Sequence, residues 1–221
     1  MTSTTKEVPI ELLPFIRVYK NGSVERLEDT PIVPPSPDQD PETGVSSKDN
    51  HFREPFHLSS PLPPKTHCSQ PKPKAPHLSL LPRRRLAPEH LLPAAYEDCW
   101  AALQWVASHS AGNGKEPWLI NNGDFERIFI GGDSAGANIV HNMAIRAGIE
   151  SLPCGAKILG AYLAHSYFWS SKPIGAEPKE GHEKSLPYLF WKFVYPSVTG
   201  SVDNPMVNPE GYGKEEWLGR I

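Results

Sequence analysis

Apolar and polar positions along this chain change period from block to block. Phe15-Ile16-Arg17-Val18-Tyr19-Lys20 and Ser23-Val24-Glu25-Arg26-Leu27 read as two short strands. Asn21-Gly22 between them predicts a hairpin with a type I′ turn, because both residues accept positive φ. Further on, Ala95, Cys99, Ala102, Leu103 and Val106 recur at helical spacing. Pro93 suits the first turn of that helix, with Glu97 and Asp98 as dipole and cap groups at its positive end. Arg127-Ile128-Phe129-Ile130 reads as a buried strand, Ala137 to Ala147 as a helix, and Lys157 to Leu163 as a second buried strand. Pro187 to Tyr195 is an aromatic helix carrying Leu189, Phe190, Phe193 and Val194. Strands alternating with helices predict an α/β fold.

One long stretch breaks the pattern. Residues 51–82 contain no Val, Ile, Tyr or Trp, the residues that favour strands. Prolines recur there every few positions and cannot donate to a ladder. The stretch reads as extended and disordered, either as solvated coil or as a polyproline ligand for a partner domain. Thr30 to Gly44 is likewise proline-rich and turn-like.

Composition narrows the function classes. The net charge of −3 gives no reason to expect nucleic acid or an anionic membrane as partner. Met1 to Glu7 is polar, without the apolar region of a signal peptide, and no apolar run is long enough to span a bilayer. Cys68, Cys99 and Cys154 are odd in number and widely spaced, which fits neither a disulfide framework nor a zinc pattern. The expectation is a cytoplasmic protein. The histidines show no ligand pairing, so neither a metal nor a cofactor is expected.

The chemistry lies at Gly131-Gly132-Asp133-Ser134-Ala135-Gly136. This run holds G-x-S-x-G between a predicted strand and a predicted helix. A serine there sits on a sharp, strained turn with its hydroxyl exposed. The helix N-terminus beside it offers free N–H groups to developing negative charge. Side chains at Gly132 or Gly136 are expected to collide with the neighbouring strand and helix. On this reading Ser134 is the nucleophile, Ala135 supplies an oxyanion N–H, and Gly132, Asp133 and Gly136 shape the elbow.

Further motifs occur in order around this run. They are Arg85-Leu86-Ala87-Pro88-Glu89-His90, Leu92-Pro93-Ala94-Ala95-Tyr96-Glu97-Asp98, and Gly132 through Ile139 with His141-Asn142. Gly160-Ala161-Tyr162-Leu163, Tyr167-Phe168-Trp169 and Asp203-Asn204-Pro205 follow. Together they resemble the plant carboxylesterase family of α/β-hydrolases, in the hormone-sensitive-lipase-like branch. The resemblance covers roughly residues 7–50 and 84–210. It implies a partial α/β-hydrolase fold: a mostly parallel sheet flanked by helices, with a small cap. Residues 1–50 are then an N-terminal hairpin and cap segment, 51–83 the proline-rich disordered segment, and 84–221 the partial core with cap residues near 170–200. The implied activity is hydrolysis of small lipophilic esters through an acyl-enzyme, with Trp169, Phe190, Trp191 and Phe193 as apolar walls over Ser134. Related alternatives are a non-catalytic binder like the gibberellin receptor, a dehydratase, and a non-functional gene-model fragment. The oligomeric state is not legible.

Two parts of the family pattern are absent. Members carry a His-Gly-Gly-Gly loop that supplies oxyanion N–H groups, but no glycine lies between Gly44 and Gly112 here. The family's acid and histidine follow the serine in sequence, and the family-like text stops soon after Asp203-Asn204-Pro205. The chain therefore reads as truncated and impaired. Asp203 belongs by resemblance to a cap connection, and His141 lies too far along its helix. His165 and His182 remain as substitute bases. The abrupt change near His51 and return near Arg84 suggest an altered reading frame or splice.

Overall fold

A computed structural model describes residues 8–28, 34, 36, 46–52, 54–60, 79–82, 85–112 and 114–211. The chain opens with an antiparallel sheet of β1 (Ile10–Leu12), β2 (Ile16–Val18) and β3 (Val24–Arg26). The expected hairpin is β2–β3, and β1 adds a strand to it. The turn is not the expected type I′. Only Gly22 takes a positive φ, at 80°, and Tyr19 N–H donates to the Ser23 carbonyl at 2.9 Å. The Asn21 side chain instead accepts from the Ser23 N–H at 3.0 Å, so asparagine acts through its amide and not its backbone.

A second antiparallel sheet joins β4 (Ser46–Phe52), β5 (Glu54–Ser60) and β6 (Ser79–Pro82). The expected disorder over 51–83 therefore does not hold for these strands. Ladder bonds are made by backbone groups and need no strand-favouring side chain. Pro55 is the second residue of β5 and Pro82 the last of β6, so these prolines lie at strand ends, where a missing N–H costs least. Residues 61–78 lie outside the described residues.

The part that positions the serine starts with α1 (Ala94–Ser108). A short α2 (Pro117–Asn122) follows, then β7 (Ile128–Asp133), α3 (Ala135–Glu150) and β8 (Ile158–Ala164). β7 and β8 pair in parallel across the α3 crossover, the connection that parallel strands require. α1 and α3 pack together through Tyr96, Trp100, Leu103, Ala107, Ile139 and Met143, with Ile130 and Ile158 of the strands against them. Away from these helices, Phe129, Leu159 and Tyr162 are 66%, 61% and 71% exposed among the described residues. α4 (Leu186–Val194) seats Trp191 with Val202 and Val207 in a second core. The Phe190 ring meets Phe15 edge-on at 5.3 Å, which joins α4 to the N-terminal sheet.

Two ion pairs fix the segment between the sheets and α1. Arg26 grips Glu89 with both guanidinium nitrogens, at 3.0 and 2.8 Å. Asp98, expected as a helix-end group, is instead a buried partner of Arg85, whose guanidinium and backbone N–H both donate to it. The position inside the helix decides this, since Asp98 lies beyond the first turn and faces Arg85. Glu97 pairs with Arg146 of α3 at 2.9 Å.

Burial alone would raise the Asp98 carboxyl; the Arg85 hydrogen bonds outweigh it and hold the group below the ordinary carboxylate range. A carboxylate lowered in the folded state stabilises above its unfolded pKa of about 3.9 and loses that contribution as pH falls through the folded value. Asp98→Asn is expected to lower stability near neutrality and to lose less on acidification. Urea melts near neutral pH and at about pH 3 test this, and equal pH sensitivity of both proteins would refute it.

Among the described residues β7 and β8 pair only with each other, and the exposed apolar side chains on them form a template for association. Phe129→Lys with Leu159→Lys is expected to reduce concentration-dependent light scattering without lowering the melting temperature. Wild-type protein that stays monodisperse as concentration rises would contradict this.

Candidate active site at the β7–α3 turn

Ser134 lies between the last residue of β7 and the first of α3, exposed to solvent. Its backbone takes φ 52° and ψ −116°, a region sparsely populated by side-chain-bearing residues. Three backbone bonds hold that conformation. Ser134 N–H donates to Ala164 at the end of β8 (2.9 Å), and the Ser134 carbonyl accepts from Asn138 N–H and Tyr167 N–H, each at 3.2 Å. Strand, helix and the β8 loop thus all meet at this one peptide.

The tight turn rests on Gly132. A Cβ there would lie 2.4 Å from the carbonyl carbon and oxygen of Gly136 and 2.7 Å from the Ala137 nitrogen. Gly136 differs from expectation: a Cβ on it meets nothing within 4 Å. The collision is between the Gly132 side and the Gly136 backbone, so only the first glycine is sterically required. Ala135 is the first residue of α3, where a helix N–H has no intrahelical acceptor.

The histidines fall into three environments. His141 is buried in α3, edge-on to Phe168 at 5.0 Å, and burial pushes its imidazole below the ordinary value. It is seven residues past Ser134, about 10 Å along the axis at ~1.5 Å per residue. His182 is buried, with Nε2 2.8 Å from the Ser170 carbonyl and its ring stacked on Trp169 at 4.9 Å. His165 follows β8 directly, at φ 43°, and its Nδ1 lies 2.8 Å from Asp133 Oδ1. A carboxylate only accepts, so Nδ1 carries the proton in this pair and, in the neutral ring, Nε2 is the free base. Asp203 accepts from Ser171 N–H at 2.8 Å, as a turn residue does.

The proposed aromatic walls separate. Trp191 is 1% exposed and its indole N–H donates to the Ser201 carbonyl, so it is core and not a wall. Its position one residue past Phe190 turns it about 100° around α4. Phe190 and Phe193 are half-buried, Phe190 against Phe15, and Trp169 is half-buried against His182.

One residue behind the serine went unread in the sequence. Asn138 is buried, its Oδ1 accepting from Tyr96 hydroxyl at 2.5 Å. Its Nδ2 donates to the Tyr167 carbonyl at 3.0 Å and the Met206 carbonyl at 2.7 Å. Asn142, one turn on, also donates to Met206, at 3.0 Å. The available signal was two asparagines one turn apart among Ala137, Ile139, Val140 and Met143. Among the described residues no cluster of three His, Cys, Asp or Glu is placed to hold a metal ion, and no helix is long and apolar enough to cross a membrane.

A parallel strand pair joined by a helix, with a strained serine at the strand–helix turn, defines a hydrolase-type elbow. The alpha/beta hydrolase fold family matches residues 56–218. A 2-hydroxyisoflavanone dehydratase of Glycyrrhiza echinata is 46% identical over 94% of this chain and 74% of its own length. The probable carboxylesterase 2 of Arabidopsis thaliana is 38% identical over 98% of this chain and 76% of its own. In fold, the chain resembles carboxyl esterase 2 of Tuber melanosporum, with TM-score 0.56 at 12% identity over 79% of this chain. It spans 64% of that solved esterase, so less than two thirds of its length. The chain belongs to the alpha/beta hydrolase fold family, among the plant carboxylesterases of its hormone-sensitive-lipase-like branch.

The glycine geometry separates two otherwise similar substitutions. Gly132→Ala is expected to cost about 1–3 kcal/mol or more, the range for forced overpacking. Gly136→Ala is expected to be neutral or to stabilise by up to about 1 kcal/mol through helix propensity. Paired thermal melts decide it, and equal losses would refute the asymmetry.

Proposed function

We propose that this chain carries a serine acyl-transfer site of the carboxylesterase type, centred on Ser134 and taking small lipophilic esters. The observation that carries the reading is the exposed Ser134 at φ 52° on a turn packed against Gly132. In this reading the Ser134 hydroxyl attacks the ester carbonyl, and the Ala135 N–H at the α3 N-terminus donates to the oxyanion. The alcohol leaves, and water releases the acid from the acyl-serine. Asp133 and Gly136 complete the turn, and Trp169, Phe190 and Phe193 supply apolar surface. Three widely spaced cysteines, Cys68, Cys99 and Cys154, suit a cytoplasmic home.

The same reading makes catalysis slow. A serine hydroxyl is a weak nucleophile without a base within hydrogen-bond reach. His141 is buried along α3 and His182 is committed to Ser170 and Trp169. His165 directs its Nδ1 to Asp133, and its Nε2 makes no hydrogen bond to the Ser134 hydroxyl. The glycine loop of the family's oxyanion site has no counterpart between Gly44 and Gly112. Losing one oxyanion donor typically costs about 10²–10³ in rate.

A second reading is elimination of water at the same site. The relatives of Glycyrrhiza echinata and Glycine max at 46% and 42% identity, both named 2-hydroxyisoflavanone dehydratase, favour it. Elimination needs a base and an oxyanion donor and no acyl-serine.

Fluorophosphonate labelling and p-nitrophenyl acetate turnover test the proposal. Slow labelling lost in Ser134→Ala, with turnover near background, is the expected result. No labelling of folded protein would overturn the acyl-serine site. Robust turnover lost in Ser134→Ala would overturn the slow-catalysis reading, and its loss in His165→Ala would identify the base. Conversion of 2-hydroxyisoflavanone that survives Ser134→Ala would favour elimination.

A further inference from the structure

The Tyr167 peptide is held at both ends by the turn that carries the serine. Its N–H donates to the Ser134 carbonyl, and its carbonyl accepts from the Asn138 side chain. Asn138 N–H donates to that same Ser134 carbonyl, which closes a ring of hydrogen bonds through Ser134, Asn138 and Tyr167. The second amide hydrogen of Asn138 reaches the Met206 carbonyl. Val207 in turn accepts from Trp169 N–H at 2.9 Å, so the two loops that Asn138 grips are bonded to each other. The Tyr167 hydroxyl donates to the Pro187 carbonyl at the start of α4. Displacement of the aromatic loop is therefore felt at the Ser134 peptide.

The chemistry of the amide is specific. Two carbonyls can only accept, so they require the NH₂ end, and the Tyr96 hydroxyl and the Asn142 amide are left to the Oδ1 end. Aspartate has the same shape but offers the carbonyls no donor. It also sets a buried negative charge against two carbonyl dipoles.

We propose that Asn138 is a positioning residue that registers the Tyr167–Trp169 loop and the Met206 turn on the elbow behind Ser134. The proposal rests on the acyl-serine reading for its catalytic consequence, while the geometric consequence stands apart from it. Asn138 touches no substrate; it acts through the Ser134 peptide and through Trp169.

The test compares the wild-type chain with Asn138→Asp, Tyr96→Phe and Asn142→Leu. Tyr96→Phe removes a bond of the same network but leaves both amide donors, so it controls for lost stability. Hydrogen exchange of peptides covering residues 165–170 and 204–208 is expected to rise about tenfold or more in Asn138→Asp, the share of one ordinary hydrogen bond. Asn142→Leu is expected to raise exchange at 204–208 and not at 165–170, which keeps the proposal open to refutation if Asn138→Asp fails to fold. Fluorophosphonate labelling of Ser134 is expected to fall about tenfold or more in Asn138→Asp, beyond the fall in Tyr96→Phe at a matched loss of melting temperature. Unchanged exchange at both segments, or equal labelling at matched stability, would overturn the proposal. Wild type that exchanges as expected but never labels defeats the acyl-serine reading alone, and the exchange comparison still decides for or against Asn138.

Discussion

The structure around the serine depends on a reversal of direction within one residue. β7 must end and α3 begin at Ser134, and no side-chain-bearing residue adopts φ 52° with ψ −116° without cost. That cost is of order 1–3 kcal/mol and persists only where the surroundings over-determine the conformation. Here they do so twice. Gly132 lets the strand approach the Gly136 carbonyl, and the Ser134 peptide is bonded to β8, α3 and the β8 loop together. Parallel pairing of β7 with β8 is then part of the site, because the Ala164 carbonyl that receives Ser134 N–H is the end of that ladder.

The same arrangement explains the unevenness of the core. α1 and α3 cover one face of the strand pair and bury Trp100, Leu103 and Met143 against Ile130 and Ile158. Strands in parallel sheets are normally apolar on both faces because helices cover both. Phe129, Leu159 and Tyr162 keep that double-sided character, yet they are exposed. Their side chains suit a covered sheet, and exposed apolar side chains of this kind favour association.

Much of the α/β part was legible because its signals are periodic or steric. The predicted strands at 127–130 and 157–163 fall on β7 and β8, and the helices from Ala137 and Pro187 fall on α3 and α4. Where distant partners decide, local pattern misleads. Asp98 lies near a helix start, but Arg85 captures it. Trp191 sits among aromatic neighbours, but the 310 turn at Ser201–Asp203 accepts its N–H. The strands at 54–60 and 79–82 are made by backbone pairing that composition does not reveal. Asn138 shows in sequence only as one of two asparagines a turn apart, and its three partners lie far away along the chain.

Asn138 also bears on how specificity and stability divide in this molecule. An apolar residue of similar volume at that position would avoid desolvating an amide, and fully satisfied polar groups rarely add much net stability over well-packed carbon. Such a residue would leave the Tyr167 and Met206 carbonyls without their donor and let the two loops settle in any register that buries them. The amide instead accepts one arrangement, since its donors and acceptor are at fixed ends and each is already committed. Apolar packing of Trp100 and Met143 supplies the adhesion between α1 and α3, and the buried amide sets where the loops lie relative to Ser134. That separation of roles is what a site built on a strained turn requires, because strain at Ser134 is useful only if its neighbours cannot relax it.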